Sequence, residues 1–154
     1  MSNLLDAAIN REWDVVKSLV DVIDDINSTD EVEGRTALMY AVIHKENEVV
    51  KLLLKKGANV NLRDGNGYTA LHFASQNYSL DIAKILLDHK GEVDLKDLNG
   101  NTPLSNAVFY SNGKGEMIHL LLRYGADKLL QNNYGVSPIE LARTIANYDL
   151  EKYF

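Results

Sequence analysis

The chain contains no cysteine among its 154 residues. This absence excludes disulfide bonds, a thiolate nucleophile and every zinc site that uses sulfur, and it is typical of a reducing compartment. No stretch reaches the roughly 18 consecutive apolar residues that span a bilayer, and the first residues lack the basic and apolar regions of a signal peptide. We therefore expect a cytoplasmic protein that is not inserted in a membrane.

The sequence also lacks any set of residues that indicates catalysis or metal binding. No glycine-rich phosphate loop occurs, and no nucleophile stands in a recognisable pattern with a base. The four histidines show no repeated ligand spacing; they are His44, His72, His89 and His119. We therefore predict no catalytic residue, no cofactor and no metal ion, and we expect a protein that is not an enzyme.

The charge of the chain is concentrated at one end. The net charge is −6, yet residues 1–34 alone carry nine acidic and two basic side chains, a local balance of −7. An acidic surface repels nucleic acid and anionic membranes, and it favours a basic partner. A second interpretation is that these residues only keep the protein soluble.

A short motif recurs at a nearly constant distance along the chain. It begins at glycines that are 33, 33 and 35 residues apart, and each glycine is followed two residues later by threonine or serine and then by an apolar residue. The four copies begin at Gly34, Gly67, Gly100 and Gly135. An alanine follows each copy at the same phase, and a fainter copy lies near Leu5. Such a period indicates stacked repeats.

Each repeat also contains an apolar quartet with the spacing i, i+1, i+4, i+5, which forms one face of a helix. The clearest quartets are Val49/Val50/Leu53/Leu54, Ile82/Ala83/Leu86/Leu87 and Met117/Ile118/Leu121/Leu122. The threonine or serine of the motif is placed to cap the first helix, and a proline one residue later, as at Pro103, suits a first helical turn. Each repeat therefore predicts two helices joined by a turn.

The segment Thr69 to Ala74, with Gly57 to Asn61 before it, resembles the ankyrin repeat, and the resemblance covers nearly the whole chain. It implies an all-α repeat solenoid of five helix-turn-helix units joined by β-hairpin loops, in one domain over residues 1–154. We number these units one to five, at about residues 1–29, 30–62, 63–95, 96–130 and 131–154. It also implies that His72 is a structural hydrogen-bonding residue.

Several features depart from the family pattern. Unit four carries two extra residues, within Ser111 to Gly115, which lengthen the turn between its two helices. Lys90 stands where Gly57 and Gly125 end the second helices of units two and four, so we expect a strained or shifted helix end there. The chain ends at Phe154, which predicts that the second helix of unit five is cut short.

The resemblance further implies a concave groove, formed by the hairpin tips and the inner face of the first helices, in which the variable positions would contact a partner. These positions are Glu33, Arg35, His44, Asn66, Tyr68, Gln76, Asn77, Leu98, Asn99, Asn101, Phe109, Tyr110, Asn133 and Tyr134. Aromatic residues flanked by asparagines are typical of protein-binding surfaces. We expect Tyr68, Phe109, Tyr110 and Tyr134 to form one stripe, in which Tyr68 and Tyr110 face solvent. An alternative is that Phe109 packs inward under the lengthened turn of unit four.

The function that follows is a non-catalytic protein–protein interaction module that binds a protein partner through the groove. One alternative is an immunity or inhibitor protein that masks a basic toxin or enzyme. Another class, a small-ligand or enzymatic domain, would need a pocket with convergent polar groups. We expect no nucleic acid and no membrane among the partners, and a monomer, because both terminal units are suited to close the stack.

Overall fold

The computed structural model describes residues 3–145 and 147–154, and this part of the chain contains nine α-helices and one 3₁₀ helix. The helices are α1 Leu4–Ile9, α2 Trp13–Leu19, α3 Ala37–Ile43, α4 Asn47–Lys55, α5 Ala70–Gln76, α6 Leu80–Asp88, α7 Pro103–Phe109, α8 Glu116–Arg123, α9 Pro138–Thr144 and the 3₁₀ helix Glu151–Tyr153. Met1, Ser2 and Ala146, which the predicted domain includes, lie outside the described residues.

The helices are arranged in two stacked rows. The inner row is α1, α3, α5, α7 and α9, in which each helix contacts the next, and the outer row is α2, α4, α6 and α8. Each outer helix also contacts the inner helix that precedes it in the chain. This arrangement confirms the all-α repeat solenoid. The count of five units stays a prediction, because unit five contributes one α-helix and a 3₁₀ helix.

The predicted threonine and serine caps begin four of the inner helices. The side chains of Thr36, Thr69, Thr102 and Ser137 each accept a hydrogen bond from the backbone N–H three residues later. Each cap residue has extended backbone angles, which suits the position before a first helical turn. The repeated motif therefore sets where the inner helices start.

The outer helices supply six of the twelve largest fully buried side chains. Of the three clearest quartets, every residue except Leu122 is buried. Leu53, Leu86 and Leu121 occupy the same position in successive units and are fully buried. Because each quartet packs against the units on both sides, the core is continuous along the stack.

The loops between units differ from the predicted β-hairpins. Within residues 3–145 and 147–154, the β-structure is one isolated antiparallel bridge, between Thr29 and Thr36. The reason is that a side chain at the start of each turn accepts hydrogen bonds from the backbone N–H groups of that turn. Asp64 accepts from the N–H of Asn66 and Tyr68, at 2.9 and 2.8 Å. Asp30, Asp97 and Asn132 do the same in the neighbouring loops.

The loop tips are joined to one another across the units. The N–H of Gly65 donates to the Glu33 carbonyl at 2.7 Å, that of Leu98 to the Asn66 carbonyl at 3.0 Å, and that of Asn133 to the Asn99 carbonyl at 2.9 Å. This row of hydrogen bonds fixes the spacing of the tips, and the tips form one rim of the groove.

The helix end of unit three is strained rather than shifted. Lys90 has a φ of 66°, and Gly57 and Gly125 have φ values of 92° and 90° at the equivalent positions. The N–H of the following residue, Gly91, donates to the Leu86 carbonyl at 2.9 Å, as Ala58 does to Leu53. The register is therefore kept, and a lysine adopts the left-handed conformation that glycine favours.

The prediction that unit five ends in a shortened second helix is wrong. After α9 the chain ends in the 3₁₀ helix, which packs against the turn between α7 and α8. The Tyr153 hydroxyl donates to the Gly113 carbonyl at 3.0 Å, its ring lies 5.3 Å from that of His119, and Leu150 is fully buried. A Cβ at Gly115 would overlap the Tyr153 ring. The two extra residues of unit four thus form the surface that receives the C-terminal segment.

Candidate protein-binding groove

The residues predicted for the groove form two adjoining clefts on its surface. The first, which we call the central cleft, has a volume of 460 Å³ and lies between units two, three and four. Its lining residues are Arg35, Asp64, Asn66, Tyr68, Phe73, Gln76, Leu98, Asn99 and Tyr110. Seven of these were predicted from the sequence, so the structure brings half of the predicted set into one cleft.

One end of the central cleft holds an internally paired charge. Arg35 Nε lies 3.4 Å from Asp64 Oδ2, and its guanidinium also lies 3.5 Å from Glu33 Oε2. The same guanidinium stands over the ring of Phe73, 5.0 Å from its centroid. Because the Asp64 side chain is 1% exposed, the ion pair is shielded from screening on that side. Arg35 is therefore held in a fixed position, with its charge balanced.

The second cleft, which we call the Asn106 cleft, has a volume of 240 Å³ and shares Tyr68 and Tyr110 with the first. Its lining residues are Tyr68, Asn101, Ser105, Asn106, Phe109, Tyr110, Asn132 and Leu141. None of these side chains carries a charge at neutral pH. The cleft therefore offers amide groups and aromatic surface, without an ion pair.

The aromatic residues do not all face solvent as predicted. Phe109 and Tyr110 are 64% and 39% exposed and meet edge to face at 5.0 Å, but Tyr68 is half-buried. The ring of Tyr68 stacks on His72 at 5.1 Å and tilts against Phe73 at 5.3 Å. Tyr134 is 76% exposed and lies outside both clefts. The predicted stripe is thus a cluster of three residues.

The remaining predicted residues lie outside the two clefts. His44 caps the end of α3 with its ring 5.9 Å from Trp13, and Asn77 caps the end of α5 and donates to the Ile43 carbonyl at 3.4 Å. Asn133 Nδ2 donates to the Leu98 carbonyl at 2.9 Å. Glu33 pairs with Arg35. Each of these four side chains contacts its own or a neighbouring unit.

Some residues of the clefts were missed by the sequence analysis. Asp64 was missed because its role depends on the turn, although acids or an amide recur at the equivalent positions of the other loops. Asn106 was missed too, and here the sequence does hold a signal. Tyr40, Phe73 and Leu141 occupy the position of Asn106 in α3, α5 and α9, so a polar residue there departs from the pattern of these three helices.

His72 supports the floor beneath Tyr68 and confirms the structural role that was predicted for it. Its Nδ1 accepts from the Thr69 N–H at 3.1 Å, and its Nε2 donates to the Asn101 carbonyl of the next unit at 3.2 Å. Both nitrogens are therefore used by the neutral ring. Burial lowers the pKa of His72 to about 4, although the Asn101 carbonyl opposes the shift.

This pKa predicts that the protein loses stability as the pH falls from about 6.5 to about 4. An unfolded histidine binds a proton below about pH 6.5, whereas the folded ring stays neutral, so acid favours the unfolded state. The loss approaches about 3 kcal/mol, since each pKa unit corresponds to about 1.4 kcal/mol. Urea unfolding at a series of pH values measures it. In His72→Gln the slope over this range should flatten, and an unchanged slope would contradict the assignment.

Residues 3–145 and 147–154 show neither the side-chain group of a metal centre nor a helix that could span a membrane. They contain no group of three or more histidine or acidic side chains that could hold a metal ion. No helix among them has the length and apolar character needed to cross a bilayer. The helix pairs of these residues form two stacked rows, and this architecture defines a helical repeat protein.

The chain belongs to the ankyrin repeat family. The sequence profile described as "Ankyrin repeats (3 copies)" matches residues 4–97 and again 58–132, which together extend over most of the chain. Ankyrin repeats are protein-interaction modules, and the family fold is a non-catalytic one. The resemblance inferred from the repeated motif is therefore confirmed.

The chain is similar to parts of several larger proteins. It is 48% identical over 65 residues to the rat ankyrin repeat and SAM domain-containing protein 6, which covers 42% of this chain and 7% of that protein. It is 44% identical over 64 residues to the chicken nuclear factor NF-kappa-B p105 subunit, covering 38% and 6%. It is 42% identical over 65 residues to the mouse RelA-associated inhibitor, covering 42% and 8%. The matches thus span less than a tenth of these relatives.

Proposed function

We propose that this protein binds a protein partner through the groove, with the central cleft and the Asn106 cleft at the centre of the contact. The observation that carries the proposal is the exposed pair Phe109 and Tyr110: Tyr110 borders both clefts, and Phe109 borders the Asn106 cleft. Large aromatic side chains dominate the binding energy of many interfaces, because they bury much area and lose little entropy. The predicted site residues outside the clefts, such as Tyr134, belong to the rim of this surface.

A matched pair of variants tests the groove. Tyr110→Ala and Phe109→Ala should each weaken the partner by about tenfold or more, whereas the thermal midpoint should change little because both side chains are exposed. The partner is first isolated by affinity capture from the source cell, and its Kd is then measured by calorimetry. Lys51→Ala and Lys84→Ala, which change exposed residues of the outer helices, serve as controls.

Tyr68 is unsuitable for this test because its truncation would also remove packing against His72 and Phe73. A result in which the outer-helix variants weaken binding and the two aromatic variants do not would overturn the groove assignment. A partner that is bound equally well by all four variants would have the same consequence.

A second candidate function is an inhibitor of a basic toxin or enzyme, and one observation favours it. A cleft of 640 Å³ lies at the N-terminal end of the stack, between α1 and the loop that precedes α3. Five acidic residues line it together with exposed apolar side chains; the acids are Asp6, Asp24, Asp25, Asp30 and Glu31. Backbone N–H groups of Glu33, Arg35 and Val32 hold the pKa of Asp30 below its usual value, although burial opposes the shift.

The salt dependence of association separates the two candidates. If the partner is basic, a variant with Asp24→Asn, Asp25→Asn and Glu31→Gln should bind more slowly at low salt, and the dependence of its association rate on salt should be flatter. Glu33 is left unchanged because it pairs with Arg35. An association rate that the triple substitution leaves unaltered would exclude the basic partner and leave the groove proposal intact.

We also propose that the chain acts in the cytoplasm as a monomer, in one domain with the unit boundaries given above, and that its partner is a protein rather than a nucleic acid or a membrane. The absence of cysteine supports the cytoplasmic location. The net charge of −6 supports a partner that is neither a nucleic acid nor a membrane. Sedimentation at increasing concentration checks the monomer.

A further inference from the structure

Asn106 is a buried residue whose side chain is left without a hydrogen-bond partner. It is 5% exposed, and within the described residues its Nδ2 has no acceptor. Burial raises the pKa of Tyr68 and the amide of Asn106 opposes the rise, so this amide lies near the Tyr68 hydroxyl. Its Nδ2 nevertheless reaches no acceptor in hydrogen-bonding geometry. Leaving a buried amide unpaired is costly, and native proteins keep few such groups.

The position of Asn106 is filled by an apolar or aromatic residue in units two, three and five, and by the exposed Asp6 in the terminal unit one. Tyr40, Phe73 and Leu141 stand at the equivalent positions of α3, α5 and α9. An apolar residue is therefore compatible with the fold here, and the asparagine is not required to build the repeat. The fold does not need this polar group, and the group lies in the wall of a cleft. It therefore indicates a hydrogen-bond donor for a molecule that binds in the cleft.

The chemistry of the cleft limits what this acceptor is. The lining carries no charge, so a charged occupant would be desolvated without compensation. The volume of 240 Å³ is smaller than the roughly 300 Å³ or more of sites for drug-sized ligands, and it suits a single amino-acid residue. Tyr68 and Tyr110 also line the central cleft, so an occupant that fills both clefts must continue past these two rings.

We propose that the Asn106 cleft binds the main chain of an extended, uncharged segment of the protein partner. A backbone carbonyl of the segment accepts the hydrogen bond of Asn106 Nδ2, and the side chain of the same residue lies against Phe109 and Tyr110. The terminal torsion of asparagine is broad, so the amide turns toward the opening as the segment enters. The segment then continues into the central cleft. This inference rests on the proposed function, because it names the part of the partner that the groove receives.

The test uses random linear peptides displayed on phage, selected against the full chain. Peptides that are enriched are synthesised, and their Kd is measured for the wild type and for Asn106→Leu. Loss of the amide should weaken binding by about tenfold or more, whereas the thermal midpoint should stay level or rise, because an unpaired buried amide is removed. Asn10→Leu makes the same change at an exposed position after α1, outside both clefts, and should leave the peptide affinity within about twofold.

A second measurement identifies the hydrogen bond itself. Each peptide linkage is replaced in turn by an ester, whose carbonyl is a weaker acceptor. One replacement should weaken binding to the wild type by about fivefold or more, and the same replacement should have less than a twofold effect in Asn106→Leu, because the two changes remove one interaction. The ester series on the wild type alone still tests the proposal if Asn106→Leu does not fold.

Several outcomes would overturn the inference. One is a lower thermal midpoint for Asn106→Leu with unchanged peptide affinity, since Asn106 would then be a structural residue. Another is selection that yields no peptide with a Kd below about 100 µM, while a captured folded protein binds in a manner that depends on Tyr110. In that case the groove function stands and the extended segment does not. If neither peptides nor a captured protein depend on Tyr110, the groove function itself fails.

Discussion

Leu86→Ala should lower the free energy of unfolding by about 2–5 kcal/mol, the range found when a buried leucine leaves a cavity. Leu86 is fully buried in α6, and this outer helix contacts α4 and α8 as well as its inner partner α5. The cavity would therefore open in the centre of the stack, where units on both sides hold their positions and do not collapse into it. Urea unfolding of the purified variant measures the loss.

Leu129→Ala provides the matched control for this substitution. Leu129 is 65% exposed, so the same chemical change should alter the unfolding free energy by no more than about 0.5 kcal/mol. Equal midpoints for the Leu86 and Leu129 variants would mean that the outer helix of unit three does not pack as described.

Gly100→Ala should lower the free energy of unfolding by about 3 kcal/mol, whereas Gly135→Ala should lower it by about 1 kcal/mol or less. Both glycines occupy the same position in a loop, with φ values of 80° and 75°, so an alanine is strained by its backbone at either site. Their surroundings differ. A Cβ at Gly100 would lie 2.7 Å from the backbone nitrogen of Asn133, whereas a Cβ at Gly135 would have no atom within 4 Å.

The difference between the two variants therefore measures the contact between loop tips. At Gly100 the clash is with backbone, so the loops must separate, and the hydrogen bond from the Asn133 N–H to the Asn99 carbonyl is lost. Both variants should be compared by urea unfolding under identical conditions. Similar losses would show that the left-handed conformation alone sets the cost and that the tips are not in close contact.

Most of the fold could be predicted from the sequence because a repeated residue must fill the same place in each unit. The phase of the motif located the caps at Thr36, Thr69 and Thr102, and the quartets located the buried faces of α4 and α6. His72 was interpreted correctly for the same reason. In each case the information is local, within one unit or between adjacent copies of it.

The features that were missed depend on contacts that occur once. The C-terminal segment was predicted as a helix, but Tyr153 and Leu150 pack against a turn about forty residues earlier that no other unit contains. Tyr68 was predicted to face solvent, but its ring packs against Phe73 on the floor of the groove. The spacing of the motif does not show that these two rings are in contact. The repeat pattern predicts contacts that equivalent residues make in every unit. It does not predict contacts that occur in one unit alone.

In the solenoid, α5 contacts α3 on one side and α7 on the other, and α6 likewise lies between α4 and α8. A segment of one period, such as residues 67–99, therefore meets similar surfaces at its two ends. In-frame duplication of its coding sequence would lengthen the groove by one unit, because the added helix pair would stack in the same two rows. Recombination at the genetic level can thus change the length of the groove in a single event, whereas the units on either side of the insertion are inherited unaltered.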